Sequence, residues 1–260
     1  MEMDQDVPNY GIPIIISSTL MFAACNVLLL RRITPQSAQK TKSQFWKWRN
    51  IANSLIHSFI TGIWACVCFY LDKKMGEDLI NVWSVTAHSL VAVSIGYFIY
   101  DFFDMAWNNR KRSSYELMIH HTLVISCFGL AVMERRYIGY SVVALLVEVN
   151  SIFLHTRQLM LIQGFSKDEF IYRLNSLMNI GTFLVFRILT LGWMTRWLVI
   201  HRDEIPTLAY TVGSIGLSVI TLMSIILFFR ILSSDFGRRR KKTVVPSCGS
   251  IEDEKKTKVL

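Results

Sequence analysis

The sequence predicts an all-α integral membrane protein with seven transmembrane helices, on three observations. The 260 residues are 52% hydrophobic and only 18% charged, with a mean hydropathy of +0.36, whereas a soluble chain of this size carries about a quarter charged residues. The apolar residues gather into seven blocks, each near the length of about 20 residues that a helix needs to cross a bilayer. Lys and Arg alternate between connections: 20 fall in one set and 6 in the other. Blocks this long exclude a membrane β-barrel, whose strands run to about ten alternating residues. A disulfide scaffold is excluded as well, because Cys25, Cys66, Cys68 and Cys127 lie inside apolar blocks and Cys248 in a polar tail.

Taken in order, the first span covers 12–30. The acidic residues before it, Glu2, Asp4 and Asp6, are the reverse of the basic start of a cleavable signal, so an anchor is expected. Residues 31–50 carry six Lys or Arg, and Trp46 and Trp48 beside Lys47 and Arg49 predict an interfacial segment ahead of span two. Spans two to seven cover 51–71, 83–107, 117–133, 138–162, 174–195 and 207–231, the fourth being the shortest. The chain thus divides into an outside segment, first span and basic loop (1–44), a unit of the remaining six spans, and a disordered basic tail (237–260), the bounds 45–236 of the six-span unit being those that a family resemblance of its motifs implies.

Cytosolic loops hold the excess of Lys and Arg, which places the N-terminus outside and the C-terminus in the cytosol. The formal net charge of +9 is thereby assigned to topology, and no nucleic-acid partner is expected. Arg238 to Lys242 form a juxtamembrane cluster suited to anionic lipid, at roughly 1 kcal/mol per charge. The last residues, Lys256-Thr257-Lys258-Val259-Leu260, are similar to a dilysine retrieval signal of the endoplasmic reticulum.

An ionisable side chain at the bilayer centre costs about 2.5–3.5 kcal/mol even on lenient scales, so it must face an interior or a watery cavity. Asp101 and Asp104 share a face of span three with Ser94 and Tyr97; Glu148, Ser151 and His155 share one on span five. His120 and His121 are adjacent on span four, and His57 lies one turn from Asn53 on span two. His57, Asp101, His120 and His155 each fall about 6–10 Å from the cytosolic end of their span, and Glu148 and Arg187 about 15 Å from the outer end of theirs. These depths predict one polar layer lining a buried cavity, with Glu148 and Arg187 paired or in one network. Asp104, His120 and Arg157 lie close enough to the boundary to snorkel.

A histidine beside a carboxylate can act as a general base or carry an acyl group. HExxH, HxxHH and GxSxG are all missing from the sequence, so neither a metal nor a serine nucleophile is expected. No proline falls deep in spans six or seven, against a receptor, and no internal repeat suggests a transporter.

The segment from Tyr97 to Arg157 resembles the TLC domain, the membrane module shared by translocating-chain-associated proteins, ceramide synthases and several lipid-handling proteins. The residues that carry the resemblance are Gly96-Tyr97-Phe98 with Asp101 and Asp104, then His120-His121, then Leu146 to Leu154 with Arg157. Trp48-Arg49-Asn50 with Ser54 and His57 precedes this core, and Phe186-Arg187 with Leu191 to Met194 follows it. The resemblance implies a six-helix bundle of spans two to seven around a lipid-accessible tunnel, with span one outside it. In ceramide synthases a histidine pair acts in acyl transfer from coenzyme A thioesters, helped by two aspartates. His120 and His121 match the pair, Glu148 falls near the first aspartate position, and Ser151 replaces the second. The members most similar to this chain imply a plasma-membrane regulator of phospholipid composition that limits polyunsaturated chains and so lowers fluidity. The alternative it implies is an acyltransferase with acyl-CoA as substrate. The site residues expected on this basis are His120, His121 and Glu148 for chemistry, and His57, Asp101, Asp104, Ser151, His155 and Arg187 for the polar layer, with membrane lipids as partners and no resident cofactor.

Overall fold

The computed structural model describes residues 10–109 and 112–236. Among them, seven helices are long and apolar enough to cross a membrane: α1 (Gly11–Ile33), α2 (Lys42–Leu71), α3 (Val85–Asn108), α4 (Ser114–Glu134), α5 (Ile138–Gln163), α6 (Phe170–Ile200) and α7 (Thr207–Asp235). The acidic N-terminal residues, Arg238 to Lys242 and the terminal lysines lie outside the described residues.

Local chemistry fixes the ends. Thr41 caps α2 by accepting from the Gln44 N–H at 3.1 Å, and Ser84 caps α3 through the Ala87 N–H at 3.3 Å, each satisfying a donor that the first helical turn leaves open. At the other end of α5, Gly164 takes φ +94° and the Phe165 N–H reaches back to the Met160 carbonyl at 3.0 Å, a Schellman closure. The Thr41 cap starts α2 nine residues before the expected 51. Trp46 and Trp48 are therefore buried residues of α2 rather than an interfacial segment ahead of it.

Spans two to seven close into a ring of neighbours in the order α2, α3, α4, α7, α6, α5 and back to α2. The first part of α5, Ile138–Leu145, also touches α2, α3, α4 and the end of α6, and so fills one end of the ring. Ile138, Val142 and Leu145 are fully buried there. The end it fills lies opposite the Lys/Arg-rich connections, which are called the basic end below.

The α1 helix lies outside this ring, against α3. Gly96 makes the approach close: a Cβ there would sit 2.6 Å from the Ile15 carbonyl oxygen. Ser18 donates to the Val93 carbonyl at 2.8 Å and Thr19 to that of Gly96 at 3.0 Å. Small residues that allow backbones to touch are the usual glue between helices in lipid. Further along α1, Phe22 is 1% exposed and sits edge-on to the rings of His57 and Tyr97, so this outer helix still reaches the polar layer.

The connection before α3 is held by Asp78, whose carboxylate accepts from the Ile80 and Asn81 N–H groups at 2.9 Å each. Partial burial raises its pKa, but these bonds outweigh it and hold the carboxyl below the ordinary value.

Candidate functional site

Three helices meet at the polar layer nearest the basic end. On α3, Asp101 is 3% exposed and accepts from Asn50 Nδ2 at 2.5 Å. Its second oxygen lies 3.6 Å from His121 Nε2 on α4, an electrostatic contact just beyond hydrogen-bond range. On α2, His57 stacks on Tyr97 at 3.9 Å with the planes 13° apart, and the Tyr97 hydroxyl donates to Ser54 at 2.7 Å. The Phe98 ring lies against both His120 and His121. His57 Nε2, His121 Nδ1 and His155 Nδ1 are buried without a hydrogen-bond partner among the described residues, which leaves them open to a polar group entering from the cavity.

The second half of the layer is built by two helix irregularities. The α5 helix breaks at Leu146, where 3.1 Å bonds from Leu146 to Val143 and from Val149 to Leu146 tighten the backbone. Glu148 follows the break. Gly62 lets α2 come close at that point: a Cβ would meet Val149 N at 3.1 Å and the Glu148 carbonyl carbon at 3.2 Å. One turn along α2, Ser58 donates to Glu148 Oε2 at 2.6 Å. On α6, residues Leu184–Leu189 wind as a π segment, the kind of bulge that often marks functional sites. Arg187, within it, donates from Nε to Asn150 Oδ1 at 3.1 Å and from Nη2 to Ser151 Oγ at 3.0 Å. Ser151 in turn donates to the Val147 carbonyl at 3.5 Å. Glu148 and Arg187 thus line the same cavity, each held by its own hydrogen bonds, and form no direct ion pair among the described residues.

These groups border a cavity of about 260 Å³ inside the ring. Of the residues expected at the site, His57, Asp101, His120, His121, Glu148, Ser151, His155 and Arg187 line it. Beyond the polar layer the lining turns apolar, from Val124 and Phe128 to Leu191, Met194 and Leu217. At the far end Tyr140 donates to the Met194 carbonyl at 3.2 Å and packs on Trp197. The cavity is amphipathic along its length, as a site for a molecule with one polar end requires.

Asp104 does not belong to this lining. It faces α2, where Trp46 Nε1 donates to it at 2.9 Å and Asn50 Nδ2 at 3.1 Å, while its other oxygen accepts from Asn108 at 3.1 Å. Its role is to tie α2 to α3, and Asn50 bridges it to Asp101. Arg157 does not snorkel either: it is 7% exposed and forks onto Asp235 of α7. Tyr172 and Ser176 donate to the same carboxylate at 2.9 and 2.6 Å, joining α5, α6 and α7 at the basic end. The sequence reading gave Asn50 no role beyond its place in the resemblance, and missed Ser58 and Asp235. The first two are uncharged residues on an apolar helix, and Asp235 lies past the expected end of its span; the recurrence of Asn50, Ser54, His57 and Ser58 on one side of α2 is the signal that could have found two of them.

Chemically, a cavity with imidazoles beside a carboxylate, a buried guanidinium and a long apolar arm can hold an amphiphile by its carbonyl or head group and exclude water from its chain. His121 and Asp101 have the pairing of a base and its orienting acid. No group of three or more His, Cys, Asp or Glu among the described residues is placed to hold a metal.

Residues 47–233 match the model of the TLC domain family. The chain is 51% identical to TLC domain-containing protein 2 of Danio rerio over 226 residues, covering 87% of this chain and 90% of that relative. It is 37% identical to TLC domain-containing protein 2 of Homo sapiens over 86% of this chain and 83% of the relative. To TLC domain-containing protein 1 of Homo sapiens it is 31% identical over 87% and 90%.

Proposed function

The chain belongs to the TLC domain family, and on that premise we propose that it regulates the phospholipid composition and fluidity of its membrane. It does so by taking an acyl chain into the cavity and limiting the incorporation of polyunsaturated chains into phospholipids. The observation that carries this reading is the cavity's polarity, with the histidine layer at one end and an apolar lining along the rest. The polar layer receives the head or carbonyl of the lipid, and the apolar lining of Val124, Phe128, Leu191, Met194 and Leu217 receives the chain. The reading places the protein in the plasma membrane with its N-terminus outside and the basic end in the cytosol, in contact with anionic lipid through Arg238 to Lys242. Imaging with an internal tag tests the location, and relocation on Lys256→Ser/Lys258→Ser would instead assign the endoplasmic reticulum.

Lipidomics of cells with and without the protein tests the function. Loss of the protein should raise the polyunsaturated share of phospholipid chains, and the His120→Ala/His121→Ala variant should fail to restore it. Restoration by that variant equal to the unaltered protein would leave the histidine layer without a role.

A second reading, an acyltransferase, is favoured by the placing of His121 beside Asp101. The imidazole nitrogen attacks an acyl-CoA thioester, the C–S bond breaks, and the thiol leaves with the proton that the ring gives up. An acceptor hydroxyl then takes the acyl group and returns a proton to the imidazole. Mass spectrometry after exposure to acyl-CoA tests it: an acyl adduct lost in the His→Ala variants supports transfer, and neither adduct nor turnover excludes it.

A further inference from the structure

Among the described residues, one exposed side chain lines the cavity. Leu117 of α4 lines the cavity although it is 39% exposed, and Leu227 lines it from the facing helix α7. Just toward the basic end, Glu116 and Arg230 meet across the same seam, Arg230 Nη1 lying 3.4 Å from Glu116 Oε2 with the side chains 60% and 43% exposed. Glu116 precedes Leu117 and lies one turn from His120 on α4; Arg230 lies one turn from Leu227 on α7. A charged pair therefore stands on the surface beside this exposed cavity-lining residue, on the helix face that leads to the histidine pair.

We propose that the α4–α7 seam is the lateral mouth of the cavity and that Arg230 there binds the phosphate of an acyl-chain carrier, displacing Glu116. This rests on the reading that an acyl chain occupies the cavity. Three physical features support it. An exposed pair at this distance contributes little, so exchanging Glu116 for another anion costs little. A guanidinium matches phosphate oxygens better than it matches one carboxylate oxygen held at the edge of range. The polar layer itself already holds Glu148 and Asp101 against the single guanidinium of Arg187, so it has no surplus positive charge for a phosphate; the anion belongs at the surface, with the carbonyl toward His120. The shared chemistry is a phosphate joined to one acyl chain, found both in lysophospholipids and in acyl-CoA.

The test is equilibrium binding of three radiolabelled probes to the full chain in phosphatidylcholine nanodiscs: 1-palmitoyl lysophosphatidic acid, palmitoyl-CoA and the uncharged 1-palmitoylglycerol. Arg230→Ala should weaken a phosphate-bearing probe by about tenfold, as loss of a charged hydrogen bond does, and leave 1-palmitoylglycerol unchanged. Glu116→Ala should strengthen the same probe. If only one of the two anionic probes responds, that probe names the source. Equal effects of Arg230→Ala on all three probes, or on none, would overturn the phosphate site. If no probe binds the unaltered protein, the acyl-occupied cavity fails instead, and this proposal with it.

Discussion

Gly62 and Glu148 show how much of the site rests on single atoms. Because a Cβ at residue 62 would press on the Glu148–Val149 backbone at 3.1–3.2 Å, Gly62→Ala forces α2 and α5 apart. The expected loss is about 1–3 kcal/mol, the usual range for overpacking, read as a lower unfolding temperature in detergent. The Arg157–Asp235 pair gives a sharper case. Asp235→Leu leaves a buried guanidinium unpaired and should cost about 3–5 kcal/mol, while Arg157→Leu/Asp235→Leu should recover the part owed to the unpaired charge but not the part owed to the Tyr172 and Ser176 hydroxyls, which lose the same carboxylate. A double variant no more stable than the single one would refute that account. At this scale the sequence was informative wherever charge met hydrocarbon: His120, His121, Glu148 and Arg187 stood out because each is costly in lipid. It misled at Asp104, because the partners that satisfy it, Trp46 and Asn50, belong to a turn of α2 that the apolar pattern did not include.

Elements set the direction in which those residues point. The positions of all seven spans were readable from apolar block length, yet the π segment at Leu184–Leu189 and the break at Leu146 were not. Neither carries a proline or glycine to mark it, and both depend on what the helix packs against. The placing of α1 was only partly readable. Gly96 is a plain glycine in the sequence, and only the packed structure shows the Ile15 carbonyl 2.6 Å from where a side chain would begin. Gly96→Val should therefore detach α1 from α3, seen as faster proteolysis of the 34–41 connection; an unchanged digestion pattern would contradict the contact. The Asp78 connection makes a pH-dependent prediction. A carboxyl with a depressed pKa in the folded state contributes stability above the unfolded value, near 3.9, and loses it as pH falls through the folded one. The protection factors of the residue 78–83 amides, exchange rates corrected for the intrinsic pH dependence, should fall below about pH 4 and stay flat above pH 5.

The whole molecule adds what neither residues nor single helices contain, the closure of six helices in the order α2, α3, α4, α7, α6, α5. That order brings residues from position 54 to position 227 around one cavity, and the proposed function rests on it. Gly213 offers a direct probe, since it lines the cavity and a Cβ there meets no atom within 4 Å. Native mass spectrometry of the purified full chain, compared with Gly213→Phe, is the most direct measurement. The unaltered protein should carry one single-chain lipid that the variant lacks, at an unchanged unfolding temperature. Equal lipid occupancy in both proteins would place the lipid on the outer surface and contradict the internal site.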